Sequence, residues 1–148
     1  MPTSSPANDV LLVEDNQDDV DLTLRAFRKH AFPMNIHVVR DGQEALDFIF
    51  CKGAYSERDC VPPKVVLLDI NLPKLDGLGV LKAVKNDPAT KSIPVVMLTS
   101  SSERSDLQES YRLGANSYLV KPVDFKQFVD ATRTFGEYWL EINRNAPN

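Results

Sequence analysis

The sequence predicts an α/β fold, a doubly wound five-stranded parallel sheet flanked by five helices. Three observations predict it. Four short Val- and Leu-rich runs lack polar alternation, as strands buried on both faces do. Segments of helical period lie between the runs, and the order strand then helix repeats five times along the chain. That alternation implies right-handed crossovers and places the functional site at the carboxyl ends of the strands.

The first run is Val10 to Val13, followed by a helical segment from Asp18 to Ala31 with Leu22, Leu24, Ala26 and Phe27. Asn16 reads as its cap, Asp18 and Asp19 as complements to its dipole, and Pro33 as its stop. Ile36 to Val39 supplies a strand nearer an edge, and Gln43 to Phe50 the second helix. The stretch Gly53 to Pro63 reads as a somewhat long loop without assignable chemistry. Val65 to Leu68 is the next strand, and the helix from Leu78 to Asn86 ends at Asn86-Asp87-Pro88. Val95 to Leu98 precedes the helix from Asp106 to Leu113, which Gly114 closes. Tyr118 to Val120 is the last strand, and a final helix runs from Phe125 to Ile142.

A chain of 148 residues is about one domain long. It divides into a flexible tail over 1–8, a domain over 9–142 and a polar tail over 143–148. The balance of 17 Lys+Arg against 21 Asp+Glu gives a net charge of −4 without any basic block, which argues against direct nucleic-acid binding. No apolar run approaches the 18 or so residues a membrane span needs, and the N-terminus lacks a signal pattern, so the expected location is cytoplasmic. Cys51 and Cys60 fall outside C-x-x-C spacing and are too few for a disulfide framework; they read as reduced thiols. His30 and His37 have no ligand-spaced neighbours and read as ordinary surface or half-buried residues.

The strand ends carry the chemistry. Glu14 and Asp15 end the first strand, Asp69 the third and Thr99 the fourth, and Lys121-Pro122 follows the fifth. Carboxylates gathered at one sheet edge repel by about 4 kcal/mol per pair at 4 Å and an effective dielectric of 20. They therefore need a cation or must take up protons. An oxygen-only cluster favours Mg²⁺, which uses one or two carboxylates together with a phosphate. Neither a Walker A loop nor G-x-G-x-x-G occurs, so the phosphate must come from a donor other than a nucleotide cradled here. Asp69 stands where a carboxylate beside Mg²⁺ accepts a phosphoryl group, with Lys121 and Thr99 placed for its oxygens.

These residues, V-E-D-N at 13–16, L-L-D-I-N-L-P at 67–73 with Asp76-Gly77, T-S-S at 99–101 and Y-L-V-K-P at 118–122, resemble the bacterial response regulator receiver domain over about residues 9–142. The resemblance implies a flavodoxin-like sheet of strand order 2-1-3-4-5. It implies that Asp69 accepts phosphoryl from the phosphohistidine of a sensor histidine kinase. It implies Mg²⁺ held by Glu14, Asp15, Asp69 and the main-chain carbonyl of Asn71, with Thr99 and Lys121 on the phosphoryl oxygens. Tyr118 takes the place of the switch aromatic, and Lys121-Pro122 that of a cis peptide. The implied output is a change in the face of the fourth helix, fifth strand and fifth helix, a phosphoacceptor switch rather than an enzyme.

A haloacid-dehalogenase-type phosphatase is a rival, but its D-x-D nucleophile motif is here Asp69-Ile70-Asn71, and Asn cannot pass the proton that turnover needs. A phosphorylation-independent binding module on the same fold is a second rival, and none of the five key positions is degraded as it would require. The ending Tyr138-Trp139-Leu140-Glu141 resembles the tail of the small response regulators that partner bacterial phytochromes. That narrower resemblance points to a phytochrome as kinase and to a homodimer. If the last helix projects past the sheet, it exposes Phe135, Tyr138, Trp139 and Ile142 as a dimer face.

Overall fold

The computed structural model describes residues 10–30, 34–121 and 125–147, the side chain of Phe125 excepted. Five strands, β1 (Val10–Val13), β2 (Ile36–Val39), β3 (Val65–Leu68), β4 (Val95–Thr99) and β5 (Ser117–Val120), pair in parallel in the order β2-β1-β3-β4-β5. Between them run α1 (Gln17–Arg28), α2 (Gly42–Phe50), α3 (Gly77–Asn86) and α4 (Arg104–Arg112), and α5 (Phe125–Gly136) follows β5.

Successive strand residues face opposite sides of the sheet, so each short apolar run feeds two cores. Leu11, Val13, Val66, Leu68 and Met97 pack with Ala45, Phe48 and Ile49 of α2 and Val80, Leu81 and Val84 of α3. Val10, Leu12, Val65, Leu67, Val96 and Leu98 pack with Ala26 and Phe27 of α1 and Phe128 and Phe135 of α5. Runs without polar alternation are what such a double-faced sheet requires.

Side-chain caps fix the helix starts. Asn16 accepts from the Asp19 N–H at 3.0 Å, Asp41 from Glu44 at 2.7 Å and Asp76 from Gly79 at 2.8 Å. Asn16 is the cap the sequence predicts; α1, however, ends at Arg28, and Ala31 and Pro33 lie outside the described residues.

Three expectations are corrected. Cys51 and Cys60 are joined as a disulfide rather than reduced. Cys51 ends α2 in the left-handed region (φ 57°, ψ 51°), and a 3₁₀ turn over Gly53–Tyr55 brings the chain back until the two Cα atoms are 6.0 Å apart. The 53–63 loop is therefore ordered: the Tyr55 hydroxyl donates to Glu44 Oε2 at 2.7 Å, and the Arg58 guanidinium lies 4.0 Å over the Phe48 ring.

The last helix is also not one continuous α-helix, because after Gly136 it widens into a π-helical turn over Glu137–Ile142. Phe135 does not project: it is buried and meets Phe27 edge-on at 5.5 Å, because it lies on the face of α5 turned to α1. Trp139 is half-buried against the same core, whereas Tyr138 and Ile142 are exposed.

Neither histidine is idle. His30 Nε2 lies 2.9 Å from both Val129 O and Thr132 Oγ1, tying the end of α1 to α5. His37 stacks on Phe48 at 4.5 Å with Nε2 3.1 Å from the Tyr55 hydroxyl. No helix among the described residues is long and apolar enough to cross a membrane.

Candidate functional site

Register builds the site. Val13 pairs with both Val39 and Leu68, so the residues that follow, Glu14 and Asp69, emerge side by side at the carboxyl edge. The Glu14 N–H donates to Val39 O at 3.0 Å and the Asp69 N–H to Val13 O at 3.2 Å, carrying the ladder one step beyond the strands. Beyond Asp69 the loop over 70–76 folds back so that the start of α3 lies against it. A Cβ at Gly77 would stand 2.0 Å from Asp69 O, so only glycine permits this approach. The Gly77 N–H donates to Ile70 O at 2.7 Å and closes the turn.

One ligand oxygen each from Glu14, Asp15 and Asp69 lies within 4.8 Å of the others. Glu14 and Asp69 are buried, Asp15 exposed, so the cluster opens to solvent on one side. Lys121, at the end of β5, reaches into it. Its Nζ bonds Glu14 Oε1, lies 3.1 Å from Asp69 Oδ2 and 3.0 Å from Asp19 Oδ2. The Asn71 N–H meets the other oxygen of Asp69 at 3.3 Å.

Burial, with Asp69 beside it, pushes Glu14 up to about 7 although Lys121 opposes the shift. Burial alone would draw Lys121 down; bonds to Glu14 and Asp19 and the charge of Asp69 outweigh it and hold the ammonium above its ordinary value. A charged lysine beside carboxylates, one of them open to solvent, is an arrangement that can take a divalent cation on one side and an anionic group on the other.

Thr99 ends β4 fully buried, and its Oγ1 accepts from the Ser101 N–H at 3.2 Å. The Ser101 hydroxyl in turn donates to Asp106 Oδ2 at 2.6 Å. Half-buried Tyr118 donates from its hydroxyl to Ser101 O at 2.8 Å, and the Lys121 N–H to Thr99 O at 2.8 Å. The loop after β4 is thus tied to β5 from both directions.

Glu14, Asp15, Asp69 and Lys121 meet in one cluster, and Thr99 joins it through the backbone of Lys121. Pro122, and with it the Lys121-Pro122 bond, lies outside the described residues. Phe135, Tyr138, Trp139 and Ile142 belong to a different part of the molecule. Sequence reasoning misses Asp19 as a partner of Lys121, since its place in the first turn of α1 reads equally as a dipole complement. The one available signal was its position just after Glu14-Asp15, where a first-turn side chain can face the strand ends. It also misses Asp106, whose partner Ser101 lies in the preceding loop.

Comparison with known proteins agrees with this geometry. Residues 10–133 match the response regulator receiver domain. The chain is 40% identical over 136 residues to the probable methanogenesis regulatory protein FilR2 of Methanothrix harundinacea, covering 92% of this chain and 86% of that protein. It is 36% identical over 138 residues to response regulator Rcp1 of Synechocystis, covering 93% and 92%. The crystal structure of the Mn²⁺-bound form of Rcp1 superposes with a TM-score of 0.84 over 93% of this chain and 98% of that one, at 35% identity. The phosphorylated cyanobacterial phytochrome response regulator RcpA superposes with a TM-score of 0.86 over 93% and 97%, at 36% identity. Receiver domains are signalling phosphoacceptors that take phosphate from histidine kinases and bind Mg²⁺ at an acidic pocket. With five parallel strands in the order 2-1-3-4-5 and the acidic cluster at their carboxyl edge, this chain belongs to the response regulator receiver domain family.

Proposed function

We propose that the protein is a phosphorylation switch in which Asp69 accepts a phosphoryl group from a sensor histidine kinase. The observation that carries this reading is the meeting of Glu14, Asp15 and Asp69 within 4.8 Å beside the Lys121 ammonium. An Asp69 carboxylate oxygen attacks phosphorus in line, and the donor leaves with the electron pair of the broken bond. The donor set is all oxygen and fits Mg²⁺, held by Glu14, Asp15, Asp69 and the main-chain carbonyl of Asn71. When bound, Mg²⁺ supplies positive charge to the phosphoryl oxygens. Lys121 and the Thr99 hydroxyl hold those oxygens from the protein side.

Asn71 offers no group able to activate water against the acyl phosphate, so hydrolysis is slow. Drawn toward the phosphoryl group, Thr99 loosens Ser101, and Tyr118 moves inward. The face of α4, β5 and α5 then changes; Leu107, Tyr111 and Val120 already leave apolar surface exposed there. The likeness to the phytochrome response regulator RcpA supports a phytochrome as the kinase, and the exposed Tyr138 and Ile142 beside half-buried Trp139 support a second copy of the chain as a partner at that surface.

Acetyl phosphate with Mg²⁺ tests the chemistry: one phosphoryl group should appear on the wild type and none on Asp69→Asn. Labelling that ignores chelation, or that persists in the variant, refutes the assignment, and rapid turnover points to a phosphatase instead. Phosphotransfer from a panel of histidine kinases that includes phytochromes tests the pathway, and sedimentation with and without phosphorylation tests the dimer.

A further inference from the structure

The Cys51–Cys60 pair and the loop it closes take no part in the strand-end site. Three features of that loop concern its sulfur. Cys51 occupies the left-handed position at the end of α2 (φ 57°, ψ 51°), where glycine or asparagine is the ordinary occupant. A cysteine there carries a backbone strain that glycine would not, and its sulfur is joined to Cys60.

The chain between the two sulfurs is also anchored without them. The Tyr55 hydroxyl donates to Glu44 Oε2 at 2.7 Å, Arg58 Nε donates to Phe48 O at 2.9 Å, and the Lys52 N–H donates to Asp47 O at 2.8 Å. A reduced chain so anchored keeps its thiols near one another, and 6.0 Å between Cα atoms is a span that a disulfide bridges without moving the backbone. Finally, Cys60 is exposed and Cys51 half-buried, so a small disulfide in solution can reach the pair.

We propose that Cys51 and Cys60 are a reversible thiol–disulfide exchange site, a clasp that locks the loop between α2 and β3 when oxidised. The oxidant is a low-molecular-weight disulfide of the glutathione class. The Cys60 thiolate attacks one of its sulfurs and forms a mixed disulfide, expelling one thiolate. The Cys51 thiolate then attacks the Cys60 sulfur and expels the second. Two electrons pass from the protein thiols to the small disulfide, the two thiol protons end on the two expelled thiolates, and the reverse sequence restores both protein thiols. The loop lies beside β2, at the sheet edge opposite β5. Redox state is thus written on a surface other than the α4, β5 and α5 face, and the clasp does not depend on phosphorylation of Asp69.

The test equilibrates the full chain with mixtures of reduced and oxidised glutathione, blocks free thiols by alkylation and reads intact mass, with hydrogen exchange measured on the same samples. Reversible interchange between forms with two free thiols and none is expected, without dimers. Amides of 51–60 should exchange about tenfold or more faster in the reduced form while β1 and β3 stay protected. The double variant Cys51→Ser, Cys60→Ser should exchange at the reduced rate at every ratio, and Cys51→Ser alone should hold glutathione on Cys60. Thiols that stay reduced at every ratio, oxidation that stops at intermolecular dimers, or equal exchange of 51–60 in both forms would each overturn the proposal.

Discussion

Replacing Lys121 with methionine tests whether the strand-end cluster is held together by one cation. The ammonium lies 3.1 Å from Asp69 Oδ2 and 3.0 Å from Asp19 Oδ2 and also bonds Glu14. At 3.1 Å and an effective dielectric of 20, a single such pair is worth about 5 kcal/mol of gross attraction. Desolvation of half-buried Lys121 and buried Glu14 opposes that gain, so the net cost of breaking the cluster is smaller, about 3–5 kcal/mol. The substitution also leaves Glu14, Asp15 and Asp69 facing one another within 4.8 Å with no positive partner.

In a domain of this size each kcal/mol moves the melting temperature by about 2–4 °C, so Lys121→Met should melt roughly 6–20 °C lower in EDTA. Mg²⁺ should then raise its melting temperature more than that of the wild type. The ion takes over a charge deficit that Lys121 otherwise fills, and saturation at a hundred times Kd is worth about 2.7 kcal/mol. Scanning calorimetry of both proteins in EDTA and in millimolar Mg²⁺ measures both effects. Equal melting in EDTA, or an equal response to Mg²⁺, refutes the reasoning.

Phe135→Ala should cost about 3–5 kcal/mol in urea unfolding, since the ring is buried against Phe27; a loss under 1 kcal/mol would mean that this end of α5 is not part of the core. Burial holds His37 below its ordinary value, Arg58 adding to the shift and Glu44 opposing it. Its contribution is therefore present above the ordinary histidine value of about 6.5 and lost as pH falls through the folded value, so stability should fall less steeply from pH 7.5 to 5 in His37→Phe than in the wild type. Asp106→Ala frees the Ser101 hydroxyl from its 2.6 Å bond. Amide signals of 99–103 in the unphosphorylated variant should move part of the way toward their phosphorylated positions, and unmoved signals would deny Asp106 a holding role.

Local pattern located the strands because each is a short, mainly apolar run that ends at a charge or a turn. β1, β2 and β3 have the bounds the pattern predicts, and Glu14 and Asp69 follow two of them directly. Strand ends in a parallel sheet converge, so a one-dimensional reading could place Glu14, Asp15, Asp69 and Lys121 together. The same reading had no access to distance between other elements. Asp19 meets a lysine 102 residues away, and Asp106 meets a serine outside its own helix. Cys51 meets Cys60 through left-handed backbone at Cys51 and Gly53 and the 3₁₀ turn that follows, which cysteine composition does not announce. At the C-terminus the apolar spacing of Phe135, Tyr138, Trp139 and Ile142 shows a helix but not its pitch. The change to a π turn after Gly136 leaves Phe135 inside and Tyr138 and Ile142 outside.

On the proposed function, position explains how one lysine couples Asp69 to a distant face. Lys121 touches side chains from the end of β1, the first turn of α1 and the end of β3, while its own N–H holds Thr99 O at 2.8 Å. Three residues earlier on the same strand, Tyr118 donates to Ser101 O, and Ser101 is in turn bonded to Asp106 of α4. A change of charge at Asp69 alters the forces on Lys121 at once, because carboxylates on three elements compete for one ammonium. β5 lies at the sheet edge, with β4 as its only strand partner among the described residues, so its movement disturbs one ladder rather than two. Asp69 directly follows β3, which lies between β1 and β4, is buried on both faces and cannot shift without disturbing both cores. On the proposed function, the response to charge at Asp69 is therefore expected in the edge strand that Lys121 directly follows.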